Sequence, residues 1–134
     1  MVKLIQLTVA ILLTFSVITT SSQAHAHNRS QSFSDWEITD NIATAVFTAK
    51  SREVTRLQSQ TNQSLDTLLV SHLISAISVS QDNLPCSSTE VARPIPSALG
   101  YVRVRLAFDC GASLGDISIS INSFFNVASS HVHY

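Results

Sequence analysis

Four of the five histidines sit in two pairs, His25 with His27 and His131 with His133, each with one residue between them. On an extended strand, residues two apart project from the same face, so each pair could present two imidazoles to one metal ion. The N-terminal pair adds a second route to metal. Residues 1–24 have the make-up of a secretion signal: Lys3, an apolar run from Leu4 to Ile18, then polar and small residues ending in Ser-Gln-Ala. Cleavage after Ala24 would leave His25-Ala26-His27 at the new terminus, and cleavage after Ala26 would leave His27. In the first case the free amine, two backbone amides and the His27 imidazole form a planar four-nitrogen set of the kind that Ni(II) and Cu(II) accept. The plainer alternative is that Ala-His-Ala-His is a permissive cleavage region and that His131 and His133 are ordinary. Nothing in the sequence brings the two ends together for a joint site. Ser, His and Asp are all present, but no Gly-x-Ser-x-Gly elbow or paired-carboxylate motif frames them for catalysis.

The elements that must position these side chains follow from the rest of the chain. The 134 residues carry eight Lys and Arg against nine Asp and Glu, a net charge of −1 with His neutral. Loss of Lys3 with a cleaved leader would make the domain one unit more negative. No basic patch emerges, which argues against a nucleic-acid partner, and no small-molecule substrate is evident. The leader's apolar run is near the lower limit for spanning a bilayer and is diluted by Gln6, Thr8, Thr14 and Ser16. A retained anchor helix is therefore the rival to cleavage. The exported domain, residues 27–134, is one unit with a modest core. Its two cysteines, Cys86 and Cys110, lack the close spacing of a zinc knuckle, and in an oxidising compartment they are expected as a disulfide.

Periodicity supplies the elements. Tyr101 to Cys110 alternates without a break, with Val102, Val104, Leu106, Phe108 and Cys110 on one face, and it is the strand around which the domain is organised. Ser30–Thr39 and Ile42–Ala49 form a hairpin about an Asp40-Asn41 turn. In the first arm Ser34, Trp36 and Ile38 share a face. The charge run Arg52, Glu53, Arg56 reads as a solvated face. Leu65, Leu68, Leu69, Leu73, Ala76 and Ile77 follow helical spacing with Asn62 or Ser64 as N-cap, and His72 on that stripe is expected as a packed, hydrogen-bonded residue. A short strand, Ala76–Ser80, follows, then a turn at Asp82-Asn83. Pro85, Pro94 and Pro96 confine the next stretch to a sheet edge or a loop. Ile117, Ile119 and Ile121 mark another one-faced strand. The sum is a mainly β domain, sandwich-like with one short helix, or alternatively a small α+β fold.

Ser32-Phe-Ser-Asp-Trp36, Arg52-Glu-Val-Thr-Arg-Leu57, Leu84-Pro-Cys86, Gly100-Tyr-Val-Arg-Val-Arg-Leu-Ala-Phe-Asp-Cys110 and Phe124-Phe-Asn-Val-Ala-Ser-Ser-His-Val-His133 come in an order that resembles the exported N-terminal domain of HupE/UreJ-type bacterial membrane proteins. The resemblance covers nearly all of the mature chain. It implies a periplasmic location, or one on the outer face of the cytoplasmic membrane, and a membrane-protein partner. It also implies an association with nickel handling. The sequence stops at Tyr134 without the spanning helices of that family, so transport carries over only as an association. A truncated reading frame and a domain that works alone are the two expectations. Three functions follow: a non-enzymatic exported domain associated with nickel or copper, a structural or protein-interaction domain with no metal role, and a secreted copper enzyme.

Overall fold

The computed structural model describes residues 29–58, 62–111 and 115–134. The signal sequence expected over residues 1–24, both expected cleavage positions, His25 and His27 lie outside the described residues.

The chain begins with strand β1 (Gln31–Thr39), turns at Asp40, whose φ is 55°, and returns as β2 (Ile42–Lys50). Asp tolerates this left-handed backbone, which is why Asp40-Asn41 closes the hairpin expected there. A short helix α1 (Ser51–Val54) runs into a 3-10 turn (Thr55–Leu57), and a longer helix α2 (Leu65–Ala76) follows. Ser64 caps α2 by accepting the Thr67 backbone N–H at 3.2 Å. The backbone then leaves the helix directly into β3 (Ile77–Gln81). Asp82 and Asn83, with φ of 49° and 66°, turn it into β4 (Leu84–Pro85). Two short strands, β5 (Ser87–Ser88) and β6 (Arg93–Ile95), precede β7 (Tyr101–Asp109), which is followed by β8 (Ile117–Ile121) and β9 (Val132–His133).

Two sheets result. The larger has the order β5-β7-β2-β1-β9, with β6 also on the outer edge of β7; the smaller is β4-β3-β8. The domain is mainly β, as its periodicities predict, and α2 contacts both β7 and β3. Pro94 pairs opposite Val104 on the outer side of β7, where a missing N–H costs no interior ladder bond.

The core is built by size complementarity between β2 and β7. Ala43 faces Phe108, Ala45 faces Leu106 and Ala49 faces Val102, while the one large residue of the β2 face, Phe47, meets Val104. All eight are buried. Leu68, Leu69 and Leu73 of α2, with Val54 and Phe124, complete the cluster. The Cys86–Cys110 disulfide ties the segment between β4 and β5 to the end of β7.

Two expectations are corrected. The charge run of residues 52–56 is not a uniformly solvated face: Glu53 is fully buried, because α1 turns its carboxylate inward toward Ser30 and toward Arg52 and Arg56. The isoleucine face of β8 is not a fully buried stripe. Ile119 is exposed, and Ile117 and Ile121 are only partly covered, because β8 pairs with β3 alone in the narrow second sheet.

Candidate functional site

The core-facing side of β1 carries Ser32, Ser34 and Trp36, in register with Ala49, Phe47 and Ala45 of β2. Ser30, just before the strand, continues the same row. Three hydroxyls on an interior face need partners, and the C-terminal segment supplies them. It lies parallel to β1, with Gln31 opposite Val132 and Ser32 opposite His133. Backbone bonds fasten it, among them Val132 N–H to the Ser30 carbonyl (3.0 Å), Tyr134 N–H to that of Ser32 (3.1 Å), and Ser34 N–H to that of Tyr134 (2.9 Å).

In this register the His131 and His133 rings enter the serine row. Ser30 Oγ lies 2.7 Å from His131 Nδ1, and Ser32 Oγ lies 2.8 Å from His131 Nε2. Ser32 Oγ is also 2.7 Å from His133 Nδ1, and Ser34 Oγ is 2.8 Å from His133 Nε2. One end of the row is closed by Trp36, whose Nε1–H donates to Ser34 at 2.8 Å, and the other by Glu53, whose Oε2 accepts from Ser30 at 2.6 Å.

The two ends dictate the direction of every bond. The single Ser30 proton goes to Glu53, so His131 must donate to Ser30 from Nδ1. A neutral His131 then accepts at Nε2, which takes the Ser32 proton. His133 therefore donates to Ser32 from Nδ1 and accepts from Ser34 at Nε2. Ser34, having given its proton away, accepts the one that Trp36 can only donate. Each hydroxyl donates once within the row, and both rings are neutral Nδ1–H tautomers.

Electrostatics favour this state. Burial holds the pKa of His131 below the usual 6.5; the nearby Glu53 charge opposes the shift, while His72 and Arg56 reinforce it. Burial, and then His131, lower that of His133. Aromatic rings enclose the imidazoles: Phe47 stacks on His133 with centroids 5.1 Å apart, and Phe124 packs at 5.0 Å from His131. His72 is packed and hydrogen-bonded as expected, its Nε2 accepting the Phe124 backbone N–H at 3.0 Å and its pKa lowered by burial.

His131 and His133 do share a face, as His-x-His spacing on a strand requires. Their four ring nitrogens are all engaged by serines, and Ser32 stands between the rings. A metal bridging them would have to displace these bonds, with His131 buried and His133 half-buried. No group of three or more His, Cys, Asp or Glu side chains is arranged to hold a metal ion among the described residues. Ser32, His131, Ser30 and Glu53 have the order of a hydroxyl, a base and an orienting acid, but Ser32 has no solvent exposure in this arrangement.

Ser30, Ser32, Ser34, Trp36 and Glu53 are absent from the residues that the sequence singles out for chemistry. The available signal was the matching period of two in Ser-x-Ser-x-Ser and His-x-His. Among the described residues, no helix is long and apolar enough to cross a membrane. Set against protein-family profiles, curated proteins and solved structures, the chain matches none of them.

Proposed function

We propose that the chain is an exported, non-catalytic β-rich domain of HupE/UreJ type, acting as a structural or protein-interaction module outside the cytoplasmic membrane. His131 and His133 serve in it as a clasp for the fold. The observation that carries the reading is the engagement of every ring nitrogen of these two residues by Ser30, Ser32 and Ser34. Ligands held ready for metal would be left accessible, whereas these are spent on closing a sheet edge. The Cys86–Cys110 bridge supports export, since such pairs persist in oxidising compartments.

Nickel or copper handling, on this reading, falls to the His25 and His27 terminus, where sequence alone supplies the chelating set. The test is to isolate the exported protein, establish its mature N-terminus by mass spectrometry and titrate it with Ni(II) and Cu(II) by calorimetry. Metal binding is expected to be unchanged when His131 and His133 are both replaced by Gln. Binding lost in that variant, while the fold is retained, would overturn the clasp assignment.

A further inference from the structure

Beside the Ser–His row, a cleft of about 470 Å³ opens between the 3-10 turn, α2 and the turn after β8. Its polar wall includes Arg56, Ser71, His72 and Asn126, its apolar wall includes Leu68 and Val127, and among the described residues no Asp or Glu lines it. Arg56 is the charged side chain among the described residues of its lining, and it shares its counter-charge with Arg52 outside the cleft. Arg52 and Arg56 both pair with the single carboxylate of Glu53, at 3.3 and 3.4 Å, so two cations share one anion. The Arg56 side chain remains about half exposed (46%), with donors to spare. His72 adds a directed donor. Its Nε2 accepts from the Phe124 backbone, so in the neutral ring the proton is on Nδ1, which meets no acceptor among the described residues.

A cavity with surplus positive charge, hydrogen-bond donors on one side and apolar side chains on the other selects for an anion with a hydrocarbon part. We propose that this cleft binds a small organic carboxylate, its charged end taken by Arg56 and His72 and its short apolar tail lying against Leu68 and Val127. The site is separate from the clasp assignment, and its failure would leave that assignment intact.

The experiment uses the whole exported chain, with butyrate, butyramide, butylammonium and sulfate as probes at constant ionic strength, followed by two-dimensional NMR of the backbone amides and histidine rings. Butyrate is expected to shift the His72 ring and the Ser71 and Asn126 amides saturably, with a dissociation constant of about 1 mM. Butyramide and butylammonium should bind at least about tenfold more weakly, the loss of one charge-assisted contact. Ser71→Asp, at an exposed helix position, and Arg56→Gln should each weaken butyrate about tenfold. Because Ser71→Asp alters no buried group, it tests the site even if Arg56→Gln disturbs the fold. No saturable shift up to about 20 mM, equal binding of all the probes, sulfate as effective as butyrate, or butyrate binding indifferent to Ser71→Asp would each overturn the proposal.

Discussion

Ser30 and His131 are 101 residues apart in the chain and 2.7 Å apart in the fold, joined by a bond whose direction is set by Glu53 on the far side of the serine. That contact begins a row in which one hydroxyl after another is both donor and acceptor, so a loss anywhere along it strands the neighbours on either side.

Ser32→Ala is the sharpest test of this coupling. It leaves His131 Nε2 without a donor in the interior and His133 Nδ1–H without an acceptor at a half-buried position. Buried polar groups left unpaired cost about 1–3 kcal/mol each. The variant is expected to lose about 3 kcal/mol in chemical denaturation, with a fall in Tm of roughly 10 °C or more. A loss no greater than about 0.5 kcal/mol, the size of an ordinary surface change, would show that the row does not act as a unit.

Acid should loosen the fold. The folded-state pKa values of His72, His131 and His133 lie below 6.5, each mainly through burial. Below pH 6.5 the unfolded chain therefore binds more protons than the folded one, and stability falls with pH. The contribution of these groups is fully present above pH 6.5 and is lost as pH drops toward their folded-state values. Denaturation midpoints measured from pH 7.5 down to pH 5 should decline, and the slope should flatten in the His131→Gln/His133→Gln variant. A midpoint independent of pH over that window would contradict the neutral tautomers assigned above.

Glu53→Gln keeps the shape of the side chain, and its carbonyl can still accept from Ser30, but it ends the attraction to Arg52 and Arg56. Both arginine side chains are about half exposed (48% and 46%) and can turn to solvent, so the expected cost is modest, about 1–2 kcal/mol. Glu53→Ala, which also leaves Ser30 without its acceptor and opens a void, should cost about 3 kcal/mol or more. Denaturant titration of the two variants side by side gives the difference.

Reduction of the Cys86–Cys110 bridge, or its replacement by two serines, should lower stability by about 3 kcal/mol through the freedom it restores to the unfolded chain. Thiol labelling of the denatured, unreduced protein should find no reactive cysteine, since no described cysteine is free.

Much of the framework was legible because its determinants are local. Asp40-Asn41 and Asp82-Asn83 carry their left-handed turns in their own side-chain chemistry, Ser64 caps a helix three residues ahead, and β7 displays its buried face in a period of two. The site was not legible, for an equally physical reason. Parallel pairing of β1 with β9 needs no turn and leaves no local mark, so nothing adjacent to Ser32 announces His133. Glu53 looked like part of a solvated charge run because the demand for it comes from Ser30, just ahead of β1 and 23 residues away in the chain. The β8 isoleucines showed a true alternation, but periodicity records which residues share a face and not whether a second layer covers it.

The parallel pairing has a mechanical consequence. β1 and β9, the first and last strands of the described residues, lie side by side and point the same way. A pull applied to the two ends acts along the strands from opposite ends of the pair, so the backbone bonds and the serine–imidazole contacts are loaded in shear and must yield together. A hairpin at the same position would open one bond at a time. Sliding β1 and β9 apart along their length would therefore have to break the backbone and side-chain bonds of the pair in one step.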